Sequence, residues 1–328
     1  MFFPALMALS AQSSKPATDS LKIKFSALPV DLGSTPARFA RDIPYGSHAL
    51  NRFDIFLPAN TKKPFPAVIF FHGGGFVQGD KAEIYKDKKR VEEIRDLLKA
   101  DIAFVTVNYR LLLPKDKTGV KKCLNDSKRC LQFIRYHAEK LGIDKNRVAG
   151  YGFSAGAGTA LWLGCRDDMK DPGNADPVLR ESTRLRAVAA RETQCSYEIK
   201  RWADDVFADF SEMTLSKIVQ LAGGSKLLSF YGISSLGEFD SPATQAYRAD
   251  VDIPAMMDNQ DAPLWVENNN PAAKPESRTE LFHHPFHARE LKEQAATAGL
   301  SCKVHIPAVP GMDVLTQGLI DFFVERLK

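Results

Sequence analysis

The sequence contains few cysteines, no long apolar segment and no excess of one charge, and each shortage excludes a class of protein. Five cysteines in 328 residues are too few for a disulfide framework, and Cys123 and Cys130, seven residues apart on one predicted helix, lie too far apart to pair. No uninterrupted apolar run approaches the roughly 18 residues of a membrane-spanning helix, so we expect no membrane span. Because 44 basic residues are interspersed with 40 acidic ones, the net charge of +4 does not indicate a nucleic-acid partner.

The N-terminus leaves the cellular compartment open. Residues Met1–Leu9 are apolar apart from Pro4, and the residues that follow suit cleavage after Ser10 by the small-residue rule for signal peptides. The segment lacks the basic residues that usually begin such a signal. Two interpretations therefore stay open: the truncated signal peptide of a secreted or periplasmic protein, or the disordered tail of a cytoplasmic one.

Strand and helix patterns alternate along most of the chain. Residues 1–42 are predicted to form an N-terminal arm and residues 43–328 a single domain. The alternation predicts an α/β fold with a doubly wound, mostly parallel sheet and helices on both faces. Strands are predicted at Phe53–Leu57, Ala67–Phe71, Ile102–Val107, Arg147–Tyr151, Leu185–Ala190, Leu264–Glu267 and Cys302–Ile306, and helices at Val91–Leu98, Val120–Leu141, Ala155–Gly164, Ala288–Ala298 and Val314–Leu327.

One segment interrupts the alternation. Residues 196–250 hold several aromatic side chains, among them Trp202, Phe210 and Phe230, without a clear strand period. We interpret this segment as a cap inserted over the carboxyl edge of the sheet.

A G-x-S-x-G motif lies between a predicted strand and a predicted helix, at Gly152-Phe153-Ser154-Ala155-Gly156. This context is typical of a nucleophile elbow, a turn so tight that a Cβ at either glycine would clash with neighbouring backbone. The same glycines, with Gly150, imitate a dinucleotide-binding fingerprint, but the spacing is G-x-G-x-x-x-G and no strand ending in an acid follows about 20 residues later. We therefore expect no nucleotide cofactor, and no other cofactor is indicated.

A second glycine motif follows directly on a predicted buried strand. His72-Gly73-Gly74-Gly75-Phe76 begins after Phe71, and three successive glycines leave backbone N–H groups unshielded. Such groups can converge on one point, which is what stabilising an oxyanion requires. His72 is expected to shape this loop.

These stretches together resemble the α/β-hydrolase superfamily, in particular the esterase and lipase branch with hormone-sensitive-lipase-like and feruloyl-esterase-like bacterial carboxylesterases. The similarity covers residues 43–191 well and weakens from 192 onward. It also includes Phe53–Pro58, Val107–Leu111, Asn125-Asp126, and Gly142-Ile143-Asp144. The resemblance implies an α/β-hydrolase fold and a small-molecule ester substrate; the oligomeric state stays open.

The resemblance also implies roles for individual residues. Ser154 would be the nucleophile, and the N–H groups of Gly73, Gly74 and Ala155 would form the oxyanion hole. An acid is expected in the loop after Leu264–Glu267, and a histidine in the loop after Cys302–Ile306. The first loop reads Asn268-Asn269-Asn270-Pro271, the second has Met312 about where the histidine should fall, and Asp313 beside it is a much weaker base than imidazole.

The general base must therefore come from elsewhere if the serine is active, because a serine hydroxyl is a poor nucleophile until its proton is removed. The candidate replacements are His283, His284 and His287, with His305 as a further histidine in a predicted strand. Clustered histidines also suggest a metal, but no carboxylate or cysteine spacing accompanies them, so no metal site is expected. Two functions stay open: a serine hydrolase of carboxylic esters, or a weak or inactive relative that binds an ester, acyl or carbohydrate ligand.

Overall fold

A computed structural model describes residues 21–59, 64–312 and 317–328. The described chain contains a nine-stranded sheet with the spatial order β1-β2-β3-β5-β4-β6-β7-β8-β9. The strands are β1 Phe25–Ser26, β2 Ala37–Pro44, β3 Arg52–Pro58, β4 Phe65–Phe71, β5 Ala103–Val107, β6 Ile143–Phe153, β7 Val188–Arg191, β8 Leu264–Glu267 and β9 Cys302–His305. The pairs β1-β2, β2-β3 and β3-β5 are antiparallel, whereas β5-β4, β4-β6, β6-β7, β7-β8 and β8-β9 are parallel. The predicted mostly parallel α/β sheet is confirmed.

Helices cover both faces of this sheet. They are α1 Lys88–Lys99, α2 Lys121–Tyr136, α3 Ala138–Leu141, α4 Ala155–Gly164, α5 Ile199–Arg201, α6 Leu215–Ala222, α7 Gly224–Tyr231, α8 Pro242–Ala249, α9 Ile253–Met256, α10 Arg278–Phe282, α11 Pro285–Thr297 and α12 Leu319–Leu327. One π-helical turn, Trp202–Val206, and three 3-10 turns, Glu83–Lys86, Pro177–Arg180 and Leu236–Glu238, complete the helical segments.

The core consists of two buried layers, one on each side of the sheet. Successive side chains of a strand point to opposite faces, so Ile69 and Phe71 of β4 enter one layer and Val68 and Phe70 enter the other. All seven residues of β4 are buried, as its continuous apolar run predicts for a parallel strand covered on both faces.

The structure differs from the sequence expectations at the N-terminal arm. Strand β1 lies inside the predicted arm, and β2 extends across its predicted end at residue 42, so the sheet begins before residue 43. The alternation in β2 is interrupted by a register shift between Ala40 and Ile43, where Asp42 has a φ of +55°. This bulge hides the two-residue period that would have identified the strand.

Several predicted boundaries also change. The helix predicted over Val120–Leu141 is divided at His137, where α2 ends and α3 begins. The strand predicted from Leu185 starts at Val188. The predicted signal segment Met1–Leu9, the start of the helix predicted from Val314, and Asp313 lie outside the described residues.

Candidate active site

The parallel strands deliver polar residues to one edge of the sheet. His72 directly follows β4, Ser154 follows β6, Glu192 follows β7 and Asn268 follows β8. Because the carboxyl ends of parallel strands meet at one edge, these four residues come together, and ligands of open α/β sheets bind at this edge.

Ser154 sits on a strained turn between β6 and α4. Its φ of +54° and ψ of −122° are unusual for a residue with a side chain. A Cβ on Gly152 would overlap the backbone of Gly156, and a Cβ on Gly156 would overlap the carbonyl of Phe71. Both motif glycines are therefore required by close approach of backbone, as the sequence predicts for a nucleophile elbow.

The glycine loop passes directly over the serine. A Cβ placed on Gly73 would lie 3.3 Å from Cβ of Ser154, and Gly74 has a φ of +103° that favours glycine. Among the described residues, the N–H groups of Gly73 and Gly74 donate to no backbone acceptor. Ala155 is the first residue of α4, and a helix leaves its first N–H groups without a partner inside the helix. These three donors can serve an oxyanion beside Ser154.

His72 holds the glycine loop from behind. Its Nδ1 lies 2.7 Å from the carbonyl oxygen of Gly73, and its ring stacks on Tyr109 with 4.3 Å between centroids. The hydroxyl of Tyr109 donates to the carbonyl oxygen of His72 at 2.7 Å. Burial lowers the pKa of the His72 imidazole, so the neutral ring shapes the loop.

His283 is the histidine that reaches Ser154. Its Nε2 lies 2.8 Å from Oγ of Ser154, within hydrogen-bond distance. His283 caps the C-terminus of α10, a short helix that begins with a capping box between Ser277 and Glu280. Burial lowers the pKa of the His283 imidazole below its usual value, and the nearby carboxylate of Glu192 opposes this shift. A neutral imidazole at pH 7 can accept the serine proton.

A carboxylate lies on the other side of the imidazole. Oε2 of Glu192 is 4.0 Å from Nδ1 of His283, which is an electrostatic contact and longer than a hydrogen bond. Glu192 has a φ of +47°, and its N–H donates to the carbonyl of Glu267 at 3.0 Å. Backbone strain of this kind concentrates at functional sites. Glu192 was not among the residues expected from the sequence, although its place directly after a buried strand was a usable signal.

Three side-chain amides hold the backbone of the α10 terminus. Nδ2 of Asn268 and Nδ2 of Asn270 both donate to the carbonyl oxygen of His283, at 3.0 and 3.1 Å. Nε2 of Gln194 donates to the carbonyl oxygen of Phe282 at 2.7 Å. The loop in which the resemblance implied an acid therefore contacts the backbone of the histidine. We refer to Gln194, Asn268 and Asn270 as the amide clamp.

The other two candidate bases do not reach Ser154. Nε2 of His284 bonds the carbonyl of Ala273 at 3.0 Å, and its Nδ1 accepts from the N–H of Phe286 at the start of α11. Nε2 of His287 bonds the carbonyl of Leu281 at 3.0 Å, and complete burial lowers the pKa of this imidazole to about 3. His284 and His287 are therefore not positioned to act as the general base, which corrects the sequence prediction for both. Their ring nitrogens form hydrogen bonds with backbone groups instead.

The two remaining sequence positions lie at the end of β9 and in the segment that follows it. His305 ends β9, at the register position opposite Glu267. Met312 packs against the core, and its carbonyl accepts a hydrogen bond from the N–H of Ile306.

An apolar pocket opens beside Ser154, and its space, including the mouth, is about 650 Å³. The predicted cap supplies part of its wall through Ala222, Leu227, Phe230 and Tyr231. All described residues between 199 and 249 that have regular structure are helical. In the described part of the chain, no group of three His, Cys, Asp or Glu could hold a metal ion, and no helix is long and apolar enough to cross a membrane.

Comparisons with known proteins agree with this architecture. The model of the BD-FAE family matches residues 53–272, about two thirds of the chain. A probable isoprenylcysteine alpha-carbonyl methylesterase of Arabidopsis thaliana is 29% identical over 45% of the chain and 29% of its own length. The esterase LipI of Mycobacterium tuberculosis is 32% identical over 33% of the chain and 31% of its own length. The chain thus spans less than a third of these relatives.

A solved structure shows the same fold over nearly the whole chain. The truncated form of a carbohydrate esterase from gut microbiota aligns with a TM-score of 0.62 at 15% identity, covering 89% of this chain and 97% of that one.

Proposed function

Because the chain belongs to the BD-FAE family, in the esterase and lipase branch of the α/β-hydrolases, we propose that it cleaves carboxylic esters by acyl transfer to Ser154. The observation that carries the proposal is the 2.8 Å separation between Oγ of Ser154 and Nε2 of His283. A serine hydroxyl needs a base within hydrogen-bond reach to become nucleophilic, and this imidazole is neutral and in reach.

In the acylation step, Oγ of Ser154 attacks the ester carbonyl while Nε2 of His283 takes the hydroxyl proton. The negative charge that develops on the carbonyl oxygen is stabilised by N–H groups of Gly73, Gly74 and Ala155. The tetrahedral intermediate then collapses, the bond to the alcohol breaks, and His283 returns the proton to the leaving oxygen. The Glu192 carboxylate stabilises the imidazolium between these two transfers.

Deacylation repeats the same steps with water. His283 takes a proton from the water, whose oxygen attacks the acyl carbon, and the proton passes to Oγ of Ser154 as the carboxylic acid leaves. No group beyond these side chains is needed for the balance of atoms and charge.

The pocket favours a small apolar acyl group, because its walls, to which the cap contributes, are mainly aliphatic and aromatic. The names of the similar proteins, a methylesterase and a carbohydrate esterase, agree in the ester bond and differ in the alcohol. We therefore propose the ester class and a short acyl chain, and leave the alcohol open.

The test is hydrolysis of 4-nitrophenyl butyrate by the wild-type protein and by Ser154→Ala. We expect Ser154→Ala to lose at least about 10³-fold in kcat/KM, because the nucleophile is gone while the oxyanion hole stays. Ser216→Ala, an exposed serine on α6, is the matched control and should retain the wild-type rate.

Equal rates for wild type and Ser154→Ala would contradict the proposal. If the wild-type protein showed no turnover while still binding the ester, the alternative of an inactive ligand-binding relative would replace it. The 4.0 Å distance between Oε2 of Glu192 and Nδ1 of His283 would then explain the lack of activity.

A further inference from the structure

Among the described residues, two cations that line the pocket beside Ser154 have no carboxylate partner, Arg278 and Lys226. Arg278 lines this pocket, and its Nη2 would lie 3.8 Å from a Cβ placed on Gly75 of the glycine loop. Its guanidinium lies over the ring of Phe282, with 4.9 Å between the guanidinium carbon and the ring centroid. Among the described residues, no carboxylate lies within ion-pair distance of Arg278, and its buried Nε has no hydrogen-bond partner.

Buried Arg135 donates to the carbonyl oxygen of Arg184, and several other arginines that are at least partly buried in the described chain are paired with acids. Examples are Arg110 with Asp126, Arg201 with Asp252 and Arg248 with Glu198. Burial lowers the pKa of the Arg278 guanidinium, and no carboxylate counters this effect. A partly desolvated cation without a partner costs free energy, and an anion arriving from outside would recover it.

The positive character continues outward from the pocket. Lys226 lines the same pocket and also borders an adjoining groove, which holds Lys115 and Lys117. Neither lining contains an aspartate or glutamate among its described residues. Lys115 and Lys226 are exposed, and in the described chain neither pairs with a carboxylate. A negatively charged ligand would therefore meet no repulsion from carboxylates in the linings of the pocket and the groove.

We propose that Arg278, assisted by Lys226, binds a carboxylate carried by the ester substrate, so that the enzyme prefers anionic over neutral esters. The inference rests on the proposed ester hydrolysis at Ser154 and deepens it by naming the substrate class. A guanidinium recognises a carboxylate through two parallel N–H donors, whereas the apolar walls of the pocket accept the chain between the ester and the carboxylate.

The first experiment compares two esters of the same acyl length, 4-nitrophenyl hydrogen glutarate and 4-nitrophenyl valerate. The measured quantity is the ratio of kcat/KM for the anionic ester to that for the neutral one. In Arg278→Gln this ratio should fall by about 10- to 100-fold, the usual worth of hydrogen bonds to a charged group. Arg278→Lys should recover part of the ratio, and Lys226→Gln should lower it by a smaller factor.

A second pair of esters locates the carboxylate. In 4-carboxyphenyl butyrate and 4-methylphenyl butyrate the charge difference lies on the alcohol instead of the acyl group. The pair whose ratio depends on Arg278 identifies the part of the substrate that carries the carboxylate. Lys217→Gln removes one charge from an exposed site on α6 outside both linings, and its ratios should equal those of wild type.

The proposal is overturned if Arg278→Gln leaves both ratios unchanged, whether or not the rates themselves fall. If wild type hydrolyses none of the four esters, the proposed function fails, and binding of monobenzyl glutarate to Ser154→Ala, measured by calorimetry, decides the carboxylate site separately. Adding Arg278→Gln should then weaken that binding at least about 10-fold, and equal affinity would overturn the carboxylate site.

Discussion

The nucleophile side and the base side of the site are constrained in different ways. On the nucleophile side, β4, the glycine loop and α4 approach so closely that a Cβ at Gly152 or Gly156 would overlap backbone. On the base side, His283 must only bring one nitrogen near Ser154, and any element that ends there can supply it. Chemistry that depends on close backbone contact leaves a sequence motif, whereas chemistry supplied by a long side chain does not.

The base side instead depends on contacts that hold a loop. The amide clamp donates hydrogen bonds to the carbonyls of Phe282 and His283. The position of the imidazole is therefore determined by residues of the loops that follow β7 and β8. An asparagine where the resemblance implies an acid thus supports the histidine without sharing its charge.

The largest expected effect is on the base side. With 4-nitrophenyl butyrate as substrate, His283→Ala should lower kcat/KM by about 10³-fold or more, because no other described histidine lies within reach of Oγ. His284→Asn is the matched control, since asparagine retains a side-chain acceptor at the start of α11. A control loss as large as that of His283→Ala would assign the effect to the loop rather than to the imidazole.

On the nucleophile side, Gly156→Ala should destabilise the fold itself. The added Cβ overlaps the carbonyl of Phe71, so the backbone must move, and we expect a loss of about 1–3 kcal/mol in the free energy of unfolding. Gly173→Ala, whose Cβ would meet only one atom at 3.8 Å, should change it by less than about 0.5 kcal/mol. Urea unfolding measures both, and equal stabilities would refute the close-approach argument.

A smaller effect is expected at Glu192, with a specific pH signature. Glu192→Gln should lower the plateau of kcat/KM by about 10-fold, because loss of the carboxylate should cost about as much free energy as a shift of one pKa unit. His283 works in its neutral form, so activity falls as the pH drops through its pKa. Burial lowers this pKa and the Glu192 carboxylate raises it, so the variant's acid limb should move to lower pH. A lower plateau with an unmoved limb would mean that the carboxylate does not act on His283.

The smallest expected effect is at the amide clamp. Asn268→Ala removes one of two bonds to the His283 carbonyl, and we expect a loss of about threefold to 10-fold in kcat with little change in KM. Asn269→Ala in the same loop is the control, because its amide contacts Glu267 instead. A change in KM alone would contradict a positioning role.

Much of the fold and half of the site could be predicted from the sequence. The buried strand Ala67–Phe71, the helix Ala155–Gly164 and the strand Leu264–Glu267 all follow from pattern and composition. The sequence could not identify which of three neighbouring histidines reaches Ser154. The positions of His283, His284 and His287 depend on how the chain turns between α10 and α11. Glu192 was missed because it follows β7, whereas the resemblance placed the acid in the loop after β8.

Ser154 and His283 are expected to act as one unit, and a double-variant cycle tests this coupling. Hydrolysis of 4-nitrophenyl butyrate would be followed for Ser154→Ala, His283→Ala and the combined variant, with kcat/KM as the measured quantity. We expect all three to retain the same residual rate within about threefold, because removing either member removes the function of both. A combined loss equal to the product of two single losses, or a wild-type rate in His283→Ala, would contradict the coupling.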